Sequence, residues 1–274
     1  MNYLKAVLLG LIQGLTEFLP VSSSGHLVLA ERLLGVETLG KTFAVFLHVG
    51  TLISVIWVFR ERIANIIKSF LLLFKKEEWA RFADNADRRF GLLLIAASIP
   101  TAIIAFLLKE YIDKAFDSPL FVGIALLITG GLLWVADTLP GGNKDISKTT
   151  ALDAVLIGVF QGVAIFPGLS RSGATISGAL FRKLDKRTAA EFSFLLSIPA
   201  IVGGALVEAI KISQDAAGAA MDWLFYLAGI VAAAAAGIFA IKFFIRLLVR
   251  DRLRIFAVYC WLLGVVAILI TLYL

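Results

Sequence analysis

Long apolar runs alternate with short polar stretches along the whole chain. A helix of about 17 to 25 mostly apolar residues can cross a bilayer, and six runs reach that length. We therefore predict six membrane-spanning helices. They lie at about residues 42–60, 90–109, 118–137, 187–210, 223–246 and 254–273.

Two further apolar regions, residues 3–34 and 151–183, are interrupted by polar turns rich in Pro, Gly and Ser. In the first region, Pro20 ends a helix, and the serines that follow it are favourable N-cap residues for a second helix. Legs of about 11 to 16 residues reach only ~16 to 24 Å at 1.5 Å per residue. We therefore expect two re-entrant hairpins, each returning to the membrane face from which it enters.

The two hairpins are related in sequence. A shift of 148 residues aligns identical residues at seven positions, namely Gly10, Gln13, Gly14, Phe18, Ser22, Ser24 and Gly25 with Gly158, Gln161, Gly162, Phe166, Ser170, Ser172 and Gly173. This indicates an internal repeat, with halves at about 1–140 and 150–274. Because each half has three spans, an odd number, the halves insert with opposite orientation. The predicted fold is one all-α polytopic membrane domain with an inverted-topology repeat.

The composition supports membrane insertion, since 60% of residues are hydrophobic, 17% are charged and the mean hydropathy is +0.92. A soluble domain has about 25% charged residues. The net charge of +6 does not indicate nucleic-acid binding, because the basic residues lie in short loops beside apolar runs. One cysteine excludes an internal disulfide, and two histidines exclude a multi-histidine metal site.

The basic residues also predict orientation. Eight Lys and Arg residues lie between Arg60 and Arg89, which places this segment in the cytoplasm, with a solvated loop over 75–89. Followed along the predicted spans, most of the 26 basic residues fall on that side. The first hairpin then enters from outside and the second from the cytoplasm. Their polar tips meet near the membrane midplane.

The first hairpin tip holds a carboxylate, three hydroxyls and an imidazole within ten residues: Glu17, Ser22, Ser23, Ser24 and His26. Such groups are costly in lipid, so they must face a cavity or one another. A helix N-terminus with hydroxyls and a glycine, Gly25, is also a favourable anion site. The pattern predicts a phosphate site. The alternative is a capped kink in an ordinary membrane helix.

The second tip places Arg171 between Ser170 and Ser172, directly after Pro167 and Gly168. The planar guanidinium can bind phosphate oxygens bidentately. With an anion bound there, Glu17 would act as a base, orient Arg171 or His26, or hold a divalent cation. His48, on the first span, is interpreted as a packed polar residue.

Both tips resemble the signature motifs of the membrane undecaprenyl-diphosphate phosphatases, the family linked to bacitracin resistance. The resemblance rests on Gln13-xxx-Glu17 with Phe-Leu-Pro-Val-Ser-Ser-Ser-Gly-His26, and on Pro167-Gly-Leu-Ser-Arg171-Ser-Gly-Ala-Thr175. It implies dephosphorylation of the C55 isoprenoid diphosphate, interlocked inverted repeats, a bacterial cytoplasmic membrane location with the site facing the extracytoplasmic side, and a homodimer.

The resemblance also implies roles for residues. Glu17, Ser23, His26 and Arg171 match the positions that the family assigns to catalysis. Gln13 stands where many members have Glu, in a pattern that would hold a divalent cation such as Mg2+ or Ca2+ together with Glu17. The residues expected to bind phosphate are Ser22, Ser24, Gly25, Ser170, Ser172, Gly173 and Thr175.

The mechanism expected from these residues is phosphoryl transfer with Ser23 as nucleophile and His26 or Glu17 as base. Direct attack by His26 is the alternative, because imidazole also forms covalent phospho-intermediates. A transporter or flippase of a phosphorylated polyprenyl lipid is the rival function, since transporters also use inverted repeats with broken helices.

Overall fold

The computed structural model describes residues 3–35, 40–74, 85–116, 118–215, 222–250 and 252–273. Within these ranges the regular structure is helical, apart from an isolated bridge between Lys144 and Leu184. The helices are α1 (Tyr3–Phe18), α2 (Ser23–Leu34), α3 (Gly40–Val58), α4 (Arg60–Leu71), α5 (Ala86–Leu107), α6 (Lys109–Phe116), α7 (Pro119–Thr138), α8 (Ala151–Val163), α9 (Arg171–Phe181), α10 (Lys186–Asp215), α11 (Trp223–Val249) and α12 (Leu253–Tyr273).

Five of the described helices are long and apolar enough to cross a membrane, namely α5, α7, α10, α11 and α12. They coincide with five of the six predicted spans, which confirms those elements by length and composition. The remaining span, predicted at 42–60, forms α3. This helix is joined at a bend of 79° to α4, with which it counts as one candidate span.

Two short polar helices, α4 and α6, were not predicted. The interpretation of 75–89 as a solvated loop is also wrong for the described residues 85–89, which begin α5; residues 75–84 lie outside the described ranges. Asn85 caps α5 by accepting hydrogen bonds from the backbone of Asp87 and Arg88. The Arg88 side chain is fully buried, and its Nε donates to the Ser69 carbonyl at 3.1 Å. Because Arg88 is charged, the sequence did not indicate that this residue packs α4 on α5.

Each predicted hairpin region contains two short helices with a polar turn between them. In the first region α1 ends at Phe18 and α2 begins at Ser23, as Pro20 and the capping serines predict. In the second region Ser170 is the N-cap of α9, and its hydroxyl accepts from the Gly173 N–H at 3.1 Å. Local sequence therefore fixes where both tips occur.

The first leg of each helix pair packs closely on a long helix of the other half. Helix α1 packs on α11, and α8 packs on α5. Gly10 lies against the carbonyl of Gly229, and Gly158 lies against the backbone of Ala97. These two glycines are aligned by the internal repeat, and an added Cβ at either would collide with backbone. Small residues thus allow the close helix approach that is typical of membrane proteins.

An aromatic cluster supports the end of α1. Phe18 is fully buried and meets Phe194 edge to face, with ring centroids 5.5 Å apart. Phe194 in turn meets Phe244 at 6.0 Å. Because Glu17 precedes Phe18, this packing fixes the position of the carboxylate that the sequence singled out.

Candidate active site

An ion pair between Glu17 and Arg171 joins the two helix-pair tips. Arg171 Nη2 contacts Glu17 Oε1, and the two side chains are only 15% and 6% exposed. The other terminal nitrogen of the guanidinium, Nη1, donates to the Ser193 carbonyl at 3.3 Å. The guanidinium therefore compensates a carboxylate that burial alone would penalise. This contact brings together the two residues that the sequence placed on separate tips.

The second carboxylate oxygen of Glu17 is surrounded by polar groups. It accepts hydrogen bonds from Gln13 Nε2 at 3.0 Å and from the Ser23 hydroxyl at 2.6 Å. His48 Nε2 lies 3.5 Å from the same oxygen. A hydroxyl that donates directly to a carboxylate is the arrangement of a nucleophile beside its base. The geometry therefore favours Glu17 as the partner of Ser23.

His26 lies at the same tip but faces other groups. Its Nδ1 lies 2.8 Å from the Ser22 carbonyl, and its Nε2 lies 2.7 Å from the hydroxyl of Tyr259. Both ring nitrogens thus have partners other than Ser23 and Glu17. The role of His26 as a base or as a direct nucleophile stays a prediction.

The expected phosphate-binding hydroxyls repeat one motif at both tips. The Ser22 hydroxyl accepts from Gly25 N at 3.3 Å and lies 3.2 Å from the Ser24 hydroxyl. Ser170 makes the same contacts at the other tip, to Gly173 N and to Ser172 Oγ at 3.3 Å. The equivalent serines therefore cap equivalent helices.

Two hydrogen bonds cross between the tips. The Gly168 N–H donates to Ser24 Oγ at 3.3 Å, and Ser172 Oγ donates to the Leu19 carbonyl at 3.1 Å. Gly168 has a φ of 88° and Ser22 a φ of 67°, so both turns use the left-handed region. These contacts hold the two helix N-termini beside the ion pair.

Thr175 contacts the backbone of Arg171 and the Ser193 hydroxyl. Its hydroxyl donates to the Arg171 carbonyl at 2.8 Å and lies 2.6 Å from Ser193 Oγ. Ser193 therefore contacts both Arg171 and Thr175, although its sequence context gave no signal of this. The position of Thr175 is that of a group supporting Arg171.

His48 was not expected in the site. Its Nδ1 donates to the Ala44 carbonyl at 2.7 Å, which agrees with the interpretation of a packed polar residue. Its Nε2, however, faces Glu17. The signal available in the sequence was that the chain has only two histidines. Tyr259, on α12, had no comparable signal.

The oxygen atoms around Glu17 determine whether a divalent cation fits this site. The described residues contain no group of three or more His, Cys, Asp or Glu side chains that could hold a metal. Gln13 Oε1, however, is buried without a hydrogen-bond partner. Because Gln13 Nε2 donates to the carboxylate, Oε1 must be the free acceptor. Mg2+ is commonly bound by one or two protein oxygens together with substrate phosphates, so Gln13 and Glu17 fit a cation shared with substrate.

The fold and the site define an integral membrane protein with a buried polar centre between two helix pairs. The family model described as bacitracin resistance protein BacA matches residues 6–266. The chain therefore belongs to the BacA family.

Curated relatives cover nearly the whole chain. The chain is 43% identical over 275 residues to the undecaprenyl-diphosphatase of Alkaliphilus metalliredigens, covering 99% of this chain and 100% of the relative. It is 44% identical over 266 residues to the undecaprenyl-diphosphatase of Carboxydothermus hydrogenoformans, covering 97% and 96%. A protein of the same name from Halothermothrix orenii is 42% identical over 270 residues, covering 98% of each chain.

Proposed function

We infer that this protein is an undecaprenyl-diphosphatase. It hydrolyses undecaprenyl diphosphate to undecaprenyl phosphate and inorganic phosphate, recycles the lipid carrier for peptidoglycan and other cell-wall polymers, and confers resistance to bacitracin. The family and the names of the relatives support this activity. The observation that carries the mechanism is the contact of Ser23 with Glu17 and of the buried Glu17 carboxylate with Arg171.

In the proposed mechanism, Ser23 Oγ attacks the terminal phosphorus of the diphosphate and passes its proton to Glu17 Oε2. The phosphoanhydride bond breaks, and undecaprenyl phosphate leaves with the bonding electron pair. Water then hydrolyses the phosphoserine and regenerates Ser23. Direct attack by His26, with a phosphohistidine intermediate, is the alternative.

Glu17 and Arg171 are coupled in this mechanism. A protonated Glu17 no longer carries the charge that holds the guanidinium, so Arg171 can turn its donors to the transferring phosphoryl group. Positioning and charge stabilisation supply most of the catalysis in phosphoryl transfer. The N-termini of α2 and α9, with their serines, add N–H groups toward the same anion.

A divalent cation, Mg2+ or Ca2+, is proposed as cofactor. Gln13 Oε1 would hold it together with diphosphate oxygens, and the Glu17 carboxylate would be a further ligand only while it is ionised, before it takes the proton of Ser23. When bound, the cation would offset the negative charge of the substrate. The unpartnered, buried Gln13 Oε1 supports this assignment.

For the membrane arrangement we propose six spans and two re-entrant hairpins related as an inverted repeat. Contacts between equivalent positions at the open end of each hairpin support the repeat, although the donor lies on the first leg in one hairpin and on the second leg in the other. Lys5 Nζ donates to the Leu34 carbonyl at 2.6 Å, and Arg182 Nε donates to Asp153 at 2.7 Å. A shift of 148 residues relates Lys5 to Asp153 and Leu34 to Arg182. Each hairpin is thus closed by the same two positions.

The charge distribution supports a cytoplasmic side at the loops near Arg60 to Arg89 and, with the family resemblance, a site open to the extracytoplasmic side of the bacterial cytoplasmic membrane. Homodimer formation is part of the same proposal and follows from the resemblance alone.

The decisive experiment is phosphate release from C55 isoprenoid diphosphate by purified protein, with and without EDTA. We expect metal-dependent release that is lost in Ser23→Ala and Arg171→Ala. Ser98→Ala, at a half-buried serine of α5 whose hydroxyl bonds only its own helix in the described contacts, is the matched control. If folded wild-type protein releases no phosphate with any divalent metal, the rival function, transport of a phosphorylated polyprenyl lipid, takes first place.

A further inference from the structure

A tyrosine outside both helix pairs contacts the candidate site through His26. The Tyr259 hydroxyl, on α12, lies 2.7 Å from His26 Nε2. The two rings are nearly parallel, with planes 2° apart and centroids 5.6 Å apart, and they lie side by side across this hydrogen bond. Tyr259 is 233 positions from His26 in the chain, and neither tip motif includes it.

The hydrogen bonds of His26 determine which ring nitrogen can change its proton. The Ser22 carbonyl can only accept, so the 2.8 Å contact requires a hydrogen on Nδ1. Nε2 is then the acceptor nitrogen of the neutral ring, and the Tyr259 hydroxyl donates to it. If Nε2 gains a proton, the hydroxyl can rotate and accept instead, because a phenol has both capacities.

We propose that Tyr259 is a positioning residue for His26: its hydroxyl donates to Nε2 and holds the imidazole ring in place, while the Ser22 carbonyl fixes the Nδ1–H tautomer. The inference rests on the alternative mechanism of the proposed function, in which His26 attacks the phosphorus directly. An imidazole bonded at both nitrogens is ordered before substrate arrives, so less freedom is lost at the moment of reaction. Tyr259 thereby connects α12 to the first helix-pair tip.

The tautomer can be measured directly. The chain has only two histidines, so 15N-histidine labelling gives a simple spectrum, and a His48→Gln variant assigns it. We expect the wild-type protein to show the Nδ1–H tautomer for His26. In Tyr259→Phe, which keeps the ring but removes the hydroxyl, the Nε2 signal should shift to that of an acceptor nitrogen without its hydrogen bond, while Nδ1 stays protonated. Unchanged His26 signals in Tyr259→Phe would overturn the inference.

Kinetics test whether Tyr259 acts through His26. Tyr259→Phe should lower kcat about three- to tenfold, as expected for the loss of one hydrogen bond, with KM changed less than about twofold. In a His26→Ala background the same substitution should cause no further loss, because coupled residues are not additive. Tyr111→Phe, at a tyrosine that is 65% exposed on α6, is the matched control and should have wild-type kcat.

The outcomes separate the two proposals. A His26→Ala protein with wild-type turnover would refute the proposed role of His26. An inactive His26→Ala protein beside a fully active Tyr259→Phe protein would refute the positioning role alone. Equal fractional losses from Tyr259→Phe in both backgrounds would show that Tyr259 acts independently of His26, which also overturns the inference.

Discussion

Removing Arg171 tests the candidate site most directly. Arg171 is the guanidinium that contacts Glu17, and it is 15% exposed beside a carboxylate that is 6% exposed. Arg171→Ala removes the group that is proposed to stabilise charge on the transferring phosphoryl. By comparison with other oxyanion-stabilising groups and arginine fingers, the loss should be about 3–5 kcal/mol of transition-state stabilisation. This corresponds to a decrease in kcat/KM of about 10²- to 10³-fold or more.

The same substitution also affects folding, because Glu17 is left buried without its cation. Breaking a buried ion pair from one side costs about 3–5 kcal/mol. The double variant Glu17→Gln/Arg171→Ala removes both charges and should unfold at a higher temperature than Arg171→Ala. Arg171→Lys keeps the charge but loses the planar fork, so it should be stable yet weakly active.

Phosphate release and thermal unfolding, both in detergent, distinguish the two effects. If Arg171→Lys unfolds near the wild-type temperature but has weak activity, the loss of turnover belongs to the guanidinium and not to misfolding. An Arg171→Ala protein that retains at least a tenth of wild-type activity would refute the proposed role of the guanidinium. Equal unfolding temperatures of the single and double variants would refute the account of the ion pair.

Three further predictions concern packing, the second helix pair and the cation. Gly158→Leu should lower the thermal unfolding temperature sharply, because the added Cβ would collide with the facing backbone of α5. Gly131→Ala is the control. Its added Cβ meets no neighbour within 4 Å, so the substitution should be neutral or slightly stabilising. Asp153→Ala should destabilise the protein by about 1–3 kcal/mol, because it removes the capping carboxylate of α8 and the ion-pair partner of Lys144 and Arg182. Asp145→Ala, in the preceding loop, is the control and should have less effect. Gln13→Glu should lower the Mg2+ concentration needed for half-maximal phosphate release, and Gln13→Leu should raise it, because the first adds a carboxylate ligand and the second removes the free oxygen; equal Mg2+ requirements in both variants would contradict the cation assignment.

The elements of this protein were largely determined by the sequence itself. Apolar run length located the spans, because backbone polar groups in lipid must be satisfied within a helix. Pro20 and the serines around both tips located the breaks between α1 and α2 and between α8 and α9, because capping and proline effects act within a few residues. Helix α4 was not predicted because its charged residues resemble those of a loop. Its packing on α5 depends on residues distant in the chain, which the local sequence does not reveal.

The arrangement of the site was decided by tertiary structure. The contact between Glu17 and Arg171 spans 154 positions, and the contact between His26 and Tyr259 spans 233. The sequence identified Glu17, Ser23, His26 and Arg171 because polar side chains are costly in an apolar chain. Only the packing of the helices determined that Ser23 faces Glu17 while His26 faces Tyr259. The same packing brings His48 to the Glu17 carboxylate, since such contacts depend on how distant helices cross.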